Sequence, residues 1–201
     1  MKRVIELLAA PIHKVGIVLL RDVQSDDPLV CLTQVKAKNP AEQAQVKFGL
    51  PKGTRRYEDP ETHQWRDARD FVTAARYRDR LEPLHSCLMN EASEEAGVDG
   101  KSFAQHAPRE LGARFFTSET SGATFDIQWY GMELSESAVA RMNPTPPDAH
   151  AVQWVRLSQM KAMSERGEIN QSYYPVAAEM AEKMRARELR PTQFLADQPT
   201  R

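Results

Sequence analysis

At 201 residues the chain is long enough to bury a sizeable core in one domain, and its 27 Lys+Arg nearly balance its 28 Asp+Glu, for a net charge of -1. That balance argues against a protein whose main work is gripping nucleic-acid backbone, so no stable nucleic-acid binding is expected. Cys31 and Cys87, the two cysteines, give neither a disulfide framework nor zinc-ligand spacing, and no segment is long and apolar enough to span a membrane.

In chain order, MKRVIELLAAPIHK has a basic start, but Glu6 and Pro11 interrupt it before it reaches signal-peptide form, and the expectation is a cytoplasmic protein without a membrane partner. HKVGIVLLRD is an apolar, β-branched run that reads as a strand, and LVCLTQVKA, after the turn signal SDDP, reads as its partner. A third strand, VKFGLPKG, ends at Pro51 and Gly53, where the chain is expected to leave the sheet. EPLHSCLMNEASEEAGV reads as a helix. Pro83 suits its start, Leu84, Leu88 and Ala92 share one face, and Gly97 suits a left-handed stop. ARFFTSE and ATFDIQWYGMEL form a hairpin about TSG, and VQWVRL is a strand after the Pro-rich NPTPPDAH. YYPVAAEMAEKMRAREL is an amphipathic helix, and PTQFLADQPTR (191–201) a frayed tail.

Within the first helix, Glu91, Glu94 and Glu95 stand at i, i+3 and i+4, so they crowd one face near the helix end. Carboxylates there oppose the helix dipole by roughly 0.3–1 kcal/mol each, and like-charge pairs add roughly 0.2–0.5 kcal/mol. A hard divalent cation reverses the sign of that penalty because it takes oxygen ligands from closely spaced carboxylates. A solvated acidic face is the other reading. The pattern alone leaves both open.

GLPKG followed by NEASEEAGV resembles the Nudix hydrolase family, whose box reads G-x5-E-x7-R-E-U-x-E-E-x-G-U, with U aliphatic. Gly53, Glu82, Glu91, Glu94, Glu95, Gly97 and Val98 match its fixed positions. Two departures stand out. Asn90 occupies the arginine position, and the 28 residues of Thr54 to Leu81 replace the five expected after the glycine. The resemblance implies a single domain over 1–201, an α+β chain folded as a Nudix-type α/β/α sandwich with a mixed central sheet. It also implies an insertion at 54–81, in which THQWRDARDFVTAARYRDR suits an extra helix that caps the pocket or forms a subunit contact without carrying metal. AVQWVRLSQM is similar to the tryptophan-bearing strand and short helix that many members carry.

For function, the resemblance implies an enzyme using Mg²⁺ or Mn²⁺ to cleave a pyrophosphate linkage in a nucleoside diphosphate joined to another group. Its expected partner is thus a nucleotide or other diphosphate-containing small molecule; a dinucleoside polyphosphate is one candidate. Glu91, Glu94 and Glu95 would hold metal with the Lys52 carbonyl, or Glu91 would serve as base. Glu119, with Asp148 second, would be the further acid from a later loop. Lys52 and Arg55 suit phosphate, and Tyr130 suits a base, as do Phe116, Trp129 and Tyr173, although strand aromatics are commonly core. Arg55, Arg56, Arg66, Arg69, Arg76, Arg78 and Arg80 flank the expected phosphate site, but they are interleaved with Glu58, Asp59, Glu61, Asp67, Asp70 and Asp79, which favours self-paired surface charge. Asn90 and the long insertion also suit a different protein, a catalytically weak Nudix-fold nucleotide-binding or regulatory module. The resemblance leaves room for a homodimer.

Overall fold

The computed structural model describes residues 12–35, 47–67, 76–117, 124–143 and 151–192. Nine strands are described: β1 (Ile12–Arg21), β2 (Leu29–Val35), β3 (Lys47–Gly49), β4 (Lys52–Thr54), β5 (Arg56–Glu58), β6 (Trp65–Asp67), β7 (Arg109–Thr117), β8 (Thr124–Glu133) and β9 (Val152–Arg156). Seven form one sheet in the order β3-β2-β1-β8-β7, with β4 joining β1 and β9 joining β2. β1 and β8 run parallel, from Ile12 opposite Phe125 to Leu20 opposite Glu133, whereas the other pairings are antiparallel. The sheet is therefore mixed.

Alternation along β1 gives the sheet two apolar faces, because successive side chains project to opposite sides. Val15, Ile17 and Leu19 join one cluster with Cys87, Leu88 and Ala92 of α1 (Leu84–Ala96), while Val18 and Leu20 join another with Met160 of α4 (Leu157–Glu165) and Met180 of α5 (Tyr173–Arg185). β8 divides likewise: Tyr130 and Met132 face α1, Ile127 and Trp129 the other layer. The result is a helix, sheet, helix sandwich. Each fully buried leucine, such as Leu88, contributes on the order of 1.5–3 kcal/mol to holding a helix on its face.

α1 forms because Pro83 stands at its N-cap and Gly97, at φ 73°, ends it in the left-handed region. Gly97 and Val98 donate their N–H groups to the carbonyls of Ser93 and Ala92, at 3.0 and 3.1 Å, which satisfies the last turn. Gly97→Ala should therefore lower stability by about 1–2 kcal/mol, the cost of a side chain at such a dihedral. A lower urea midpoint with unchanged slope is the expected reading.

Four details differ from the sequence reading. The chain does not leave the sheet after Pro51. The Pro51 carbonyl accepts from Ile17 N–H at 2.9 Å, and the chain resumes as β4 with Gly53 opposite Val15. The start of the expected extra helix is a strand: β5 and β6 pair with Glu58 opposite Trp65. Asp59 turns that hairpin by accepting from the N–H groups of Glu61 and Thr62 at 2.9 and 3.3 Å, a side-chain turn that overrides the helical pattern. Residues 68–75 lie outside the described part. Of the expected tail, 193–201 lie outside the described residues, while at its start Pro191 pairs with Arg109 and Thr192 N–H donates to Pro108 at 2.8 Å. Finally, α2 (Gly100–Gln105) and α3 (Glu136–Val139) escaped the sequence reading, although Asp99 and Ser135 cap them through their side chains.

Candidate functional site

α1 rests on β4, and this contact brings the glutamates to the loop. β4 turns Lys52 and Gly53 to opposite sides: the Lys52 ammonium lies 4.8 Å from the ring centre of Tyr173 on α5, while Gly53 faces Glu91 on α1. A Cβ at position 53 would overlap the Glu91 carboxylate, so only glycine lets this carboxylate lie against the loop backbone. One turn on, Glu95 Oε2 accepts from Lys52 N–H at 3.1 Å. Glu91 and Glu95 are thus both half-buried at β4, whereas Glu94 is exposed.

Electrostatics follow from that burial. Burial, then the charges of Glu95 and Glu94, push the Glu91 carboxyl up to about 8. Burial raises Glu95 too, opposed by the Lys52 ammonium, the Lys52 N–H and Lys14. For Lys52, burial disfavours the charge, but Tyr173, Glu95 and Glu91 outweigh it and the ammonium is held above its ordinary range. Among the described residues no three His, Cys, Asp or Glu side chains converge as a ready cluster for a metal ion. Two features nevertheless fit a hard divalent cation: carboxylate oxygens whose repulsion a cation relieves, and the cradle at Gly53 that a Cβ would fill.

A second group of contacts pins the chain just before α1. Glu82, 4% exposed, accepts from the Arg56 guanidinium at 2.8 and 3.3 Å, from Arg56 N–H at 3.3 Å and from the Asn90 amide at 2.7 Å. Its own N–H donates to the Arg56 carbonyl at 2.7 Å, and its carbonyl accepts from the Arg55 guanidinium at 3.0 and 2.7 Å. Burial works against the charge of Glu82, but Arg56 and Asn90 hold its carboxyl below the usual range. Asn90 therefore bonds to Glu82, and a guanidinium reaches Glu82 from Arg56. The sequence reading missed Glu82 and Arg56 as a pair, since 25 intervening residues separate them.

The remaining expected site residues divide between cavity, core and surface. Arg55 and Tyr130 share a cavity of about 470 Å³ that Lys14, Glu110, Asp126 and Gln128 also line. Burial and Glu110 raise the Tyr130 phenol. Gln128 donates to Glu110 at 2.6 Å across the strand pair, so its amide orientation is fixed. Trp129 and Tyr173 pack edge to face within the core, 6.4 Å between ring centres, and Phe116 stacks on Phe125 at 4.9 Å. Arg66 pairs with Asp59 at 2.9 Å, as expected of self-paired surface charge. Glu119 and Asp148 lie outside the described residues. Cys31 and Cys87 are free and buried, and no described helix is long and apolar enough to cross a membrane.

Neither a protein-family model nor a curated protein matches the sequence. Solved structures do resemble the fold. The Nudix domain of Shewanella oneidensis NrtR, solved with ADP ribose, has a TM-score of 0.56 at 16% identity, covering 87% of this chain and 89% of that one. A Nudix hydrolase from Alicyclobacillus acidocaldarius has 0.55 at 14% identity, with coverages of 87% and 93%. Another from Nitrosomonas europaea has 0.50 at 15% identity, with coverages of 92% and 96%. With the mixed sheet between helical layers and the glutamate helix on the loop strand, these likenesses give the conclusion directly: the chain has the Nudix fold.

Proposed function

We propose that the chain is a divalent-metal-dependent hydrolase that cleaves a pyrophosphate linkage in a nucleoside diphosphate joined to another group, acting in the cytoplasm. The observation that carries this reading is the placement of Glu91 and Glu95 against Lys52 and Gly53, in a position that is electrostatically costly without a cation. Mg²⁺ or Mn²⁺ bound there would neutralise phosphoryl oxygens and lower the pKa of water. The chain would contribute Glu91, Glu94 and Glu95 and the Lys52 carbonyl as ligands, with Glu91 as the alternative base and Glu119 as a further acid. Arg55 and Tyr130 share a cavity that would receive the group joined to the diphosphate, a role supported by Arg55 standing two residues from Gly53. Lys52, engaged with Tyr173 and Glu95, suits a role in balancing local charge as well as in contacting phosphate.

ADP ribose is a natural first probe, since the Shewanella domain was solved with it. We expect phosphate release from ADP ribose or another nucleotide-linked diphosphate when the chain is incubated with Mg²⁺ or Mn²⁺ and then with phosphatase. Tight nucleotide binding without turnover on any member of the panel would instead make the chain a binding or regulatory module of the same fold.

A further inference from the structure

We infer that Arg56 is a positioning residue for the glutamates of α1, acting through Glu82; the inference rests on the reading of the site just given. Glu82 precedes α1 and is almost fully buried, so its carboxylate needs donors on every side. Arg56 provides three of them, two from the guanidinium and one from the backbone, and returns a carbonyl to Glu82 N–H. Asn90 provides another from the middle of α1, at the same Oε1 that the Arg56 guanidinium holds at 2.8 Å. One carboxylate therefore ties β5 to α1.

The tie lies where it controls the site. Only Thr54 and Arg55 separate Arg56 from Gly53, and Glu91 directly follows Asn90. Fixing Arg56, Glu82 and Asn90 relative to one another thus holds the helix position from which the Glu91 side chain reaches the Gly53 backbone, a contact with no room for even a methyl group. Asn90 is neutral, and its amide cannot replace the planar, doubly donating guanidinium of Arg56. Arg56, near the start of the segment from 54 to 81, accordingly sets the geometry of the glutamates through Glu82.

The test moves the guanidinium from the strand to the helix. Mn²⁺ alone is titrated into the full chain and followed by electron paramagnetic resonance, for the parent, Arg56→Ala, Asn90→Arg and the double variant, with circular dichroism to establish folding. Arg56→Ala should weaken Mn²⁺ binding by about tenfold or more, the usual scale for residues that orient ligands. The double variant should recover most of that loss, because an arginine at 90 reaches the same carboxylate. Asn90→Arg alone should leave the affinity close to that of the parent, since Arg56 already occupies Glu82. Parent-like affinity in a folded Arg56→Ala protein, or a folded double variant no tighter than Arg56→Ala, overturns the inference. Should Arg56→Ala not fold, Arg56→Lys keeps the charge but loses the fork; weakened binding relieved by Asn90→Arg supports the inference, and parent-like binding overturns it. A parent that binds no Mn²⁺ removes the metal reading, and amide exchange of the metal-free proteins then decides about Arg56. Faster exchange at 52–54 and 84–96 in the single variant, restored in the double, supports the tie, and unchanged exchange refutes it.

Discussion

In chelator at pH 9, Glu91→Gln is expected to melt above the parent, and the two proteins should converge as the pH falls towards 4.5. The Glu91 carboxyl has its folded-state value raised from 4.5 to about 8, first by burial and then by Glu95 and Glu94. A group shifted in that direction costs the fold nothing below 4.5, where both states are protonated. Its penalty grows between 4.5 and about 8 and is constant above, where the folded state must hold the buried charge. That penalty is on the order of a few kcal/mol, and each kcal/mol moves the melting temperature of a chain this size by roughly 2–4 °C. Glutamine removes both the charge and its repulsion. With saturating Mn²⁺ the order should reverse, because a cation that binds only the folded parent stabilises it according to its occupancy, and the variant lacks a ligand. Hydrolysis should fall by orders of magnitude with it. Melting curves across pH, with and without Mn²⁺, decide the matter: parallel pH profiles and equal metal-induced shifts would leave the helix end as an acidic surface.

Gly53→Ala should separate function from stability. The new methyl group meets the end of the Glu91 side chain, which can swing away, so unfolding free energy should change by no more than about 1 kcal/mol. What swings away is the carboxylate proposed to hold metal. Mn²⁺ affinity and turnover should therefore both fall by about tenfold or more, with the far-ultraviolet spectrum unchanged. A stable variant with parental affinity would show that Glu91 need not lie against this loop.

Both predictions concern residues that the sequence already marked. The crowding of Glu91, Glu94 and Glu95 and the stop at Gly97 were legible because their spacing is local: a helix repeats every 3.6 residues, and a left-handed stop needs a glycine. Gly53, 38 positions before Glu91, was marked through the family resemblance. The β1, β2 and β8 strands were legible from β-branched apolar runs, and β9 with its following helix from the run around Trp154. The partnership of Arg56 with Glu82 was not, because nothing local distinguishes Arg56 from the other arginines of a segment rich in them. β6 was misread because Asp59, six residues before Trp65, turns the chain with its side chain where the apolar spacing alone suited a helix. The cavity shared by Arg55 and Tyr130 joins a loop to a distant strand, a juxtaposition that only the β1 to β8 pairing creates.

That pairing also sets an order of construction. β1 and β8 match residues more than a hundred positions apart, from Ile12 with Phe125 to Leu20 with Glu133, so closing them carries the entropy cost of a long loop and belongs to the slow part of folding. On the ribosome, β1, β4 and α1 are complete while β8 is still unmade. Leu88 and Ala92 of α1 must wait for Tyr130 and Met132 to complete the floor beneath them. For that interval the glutamate helix has a loop to rest on but only part of a sheet, and its apolar face is left open on the nascent chain.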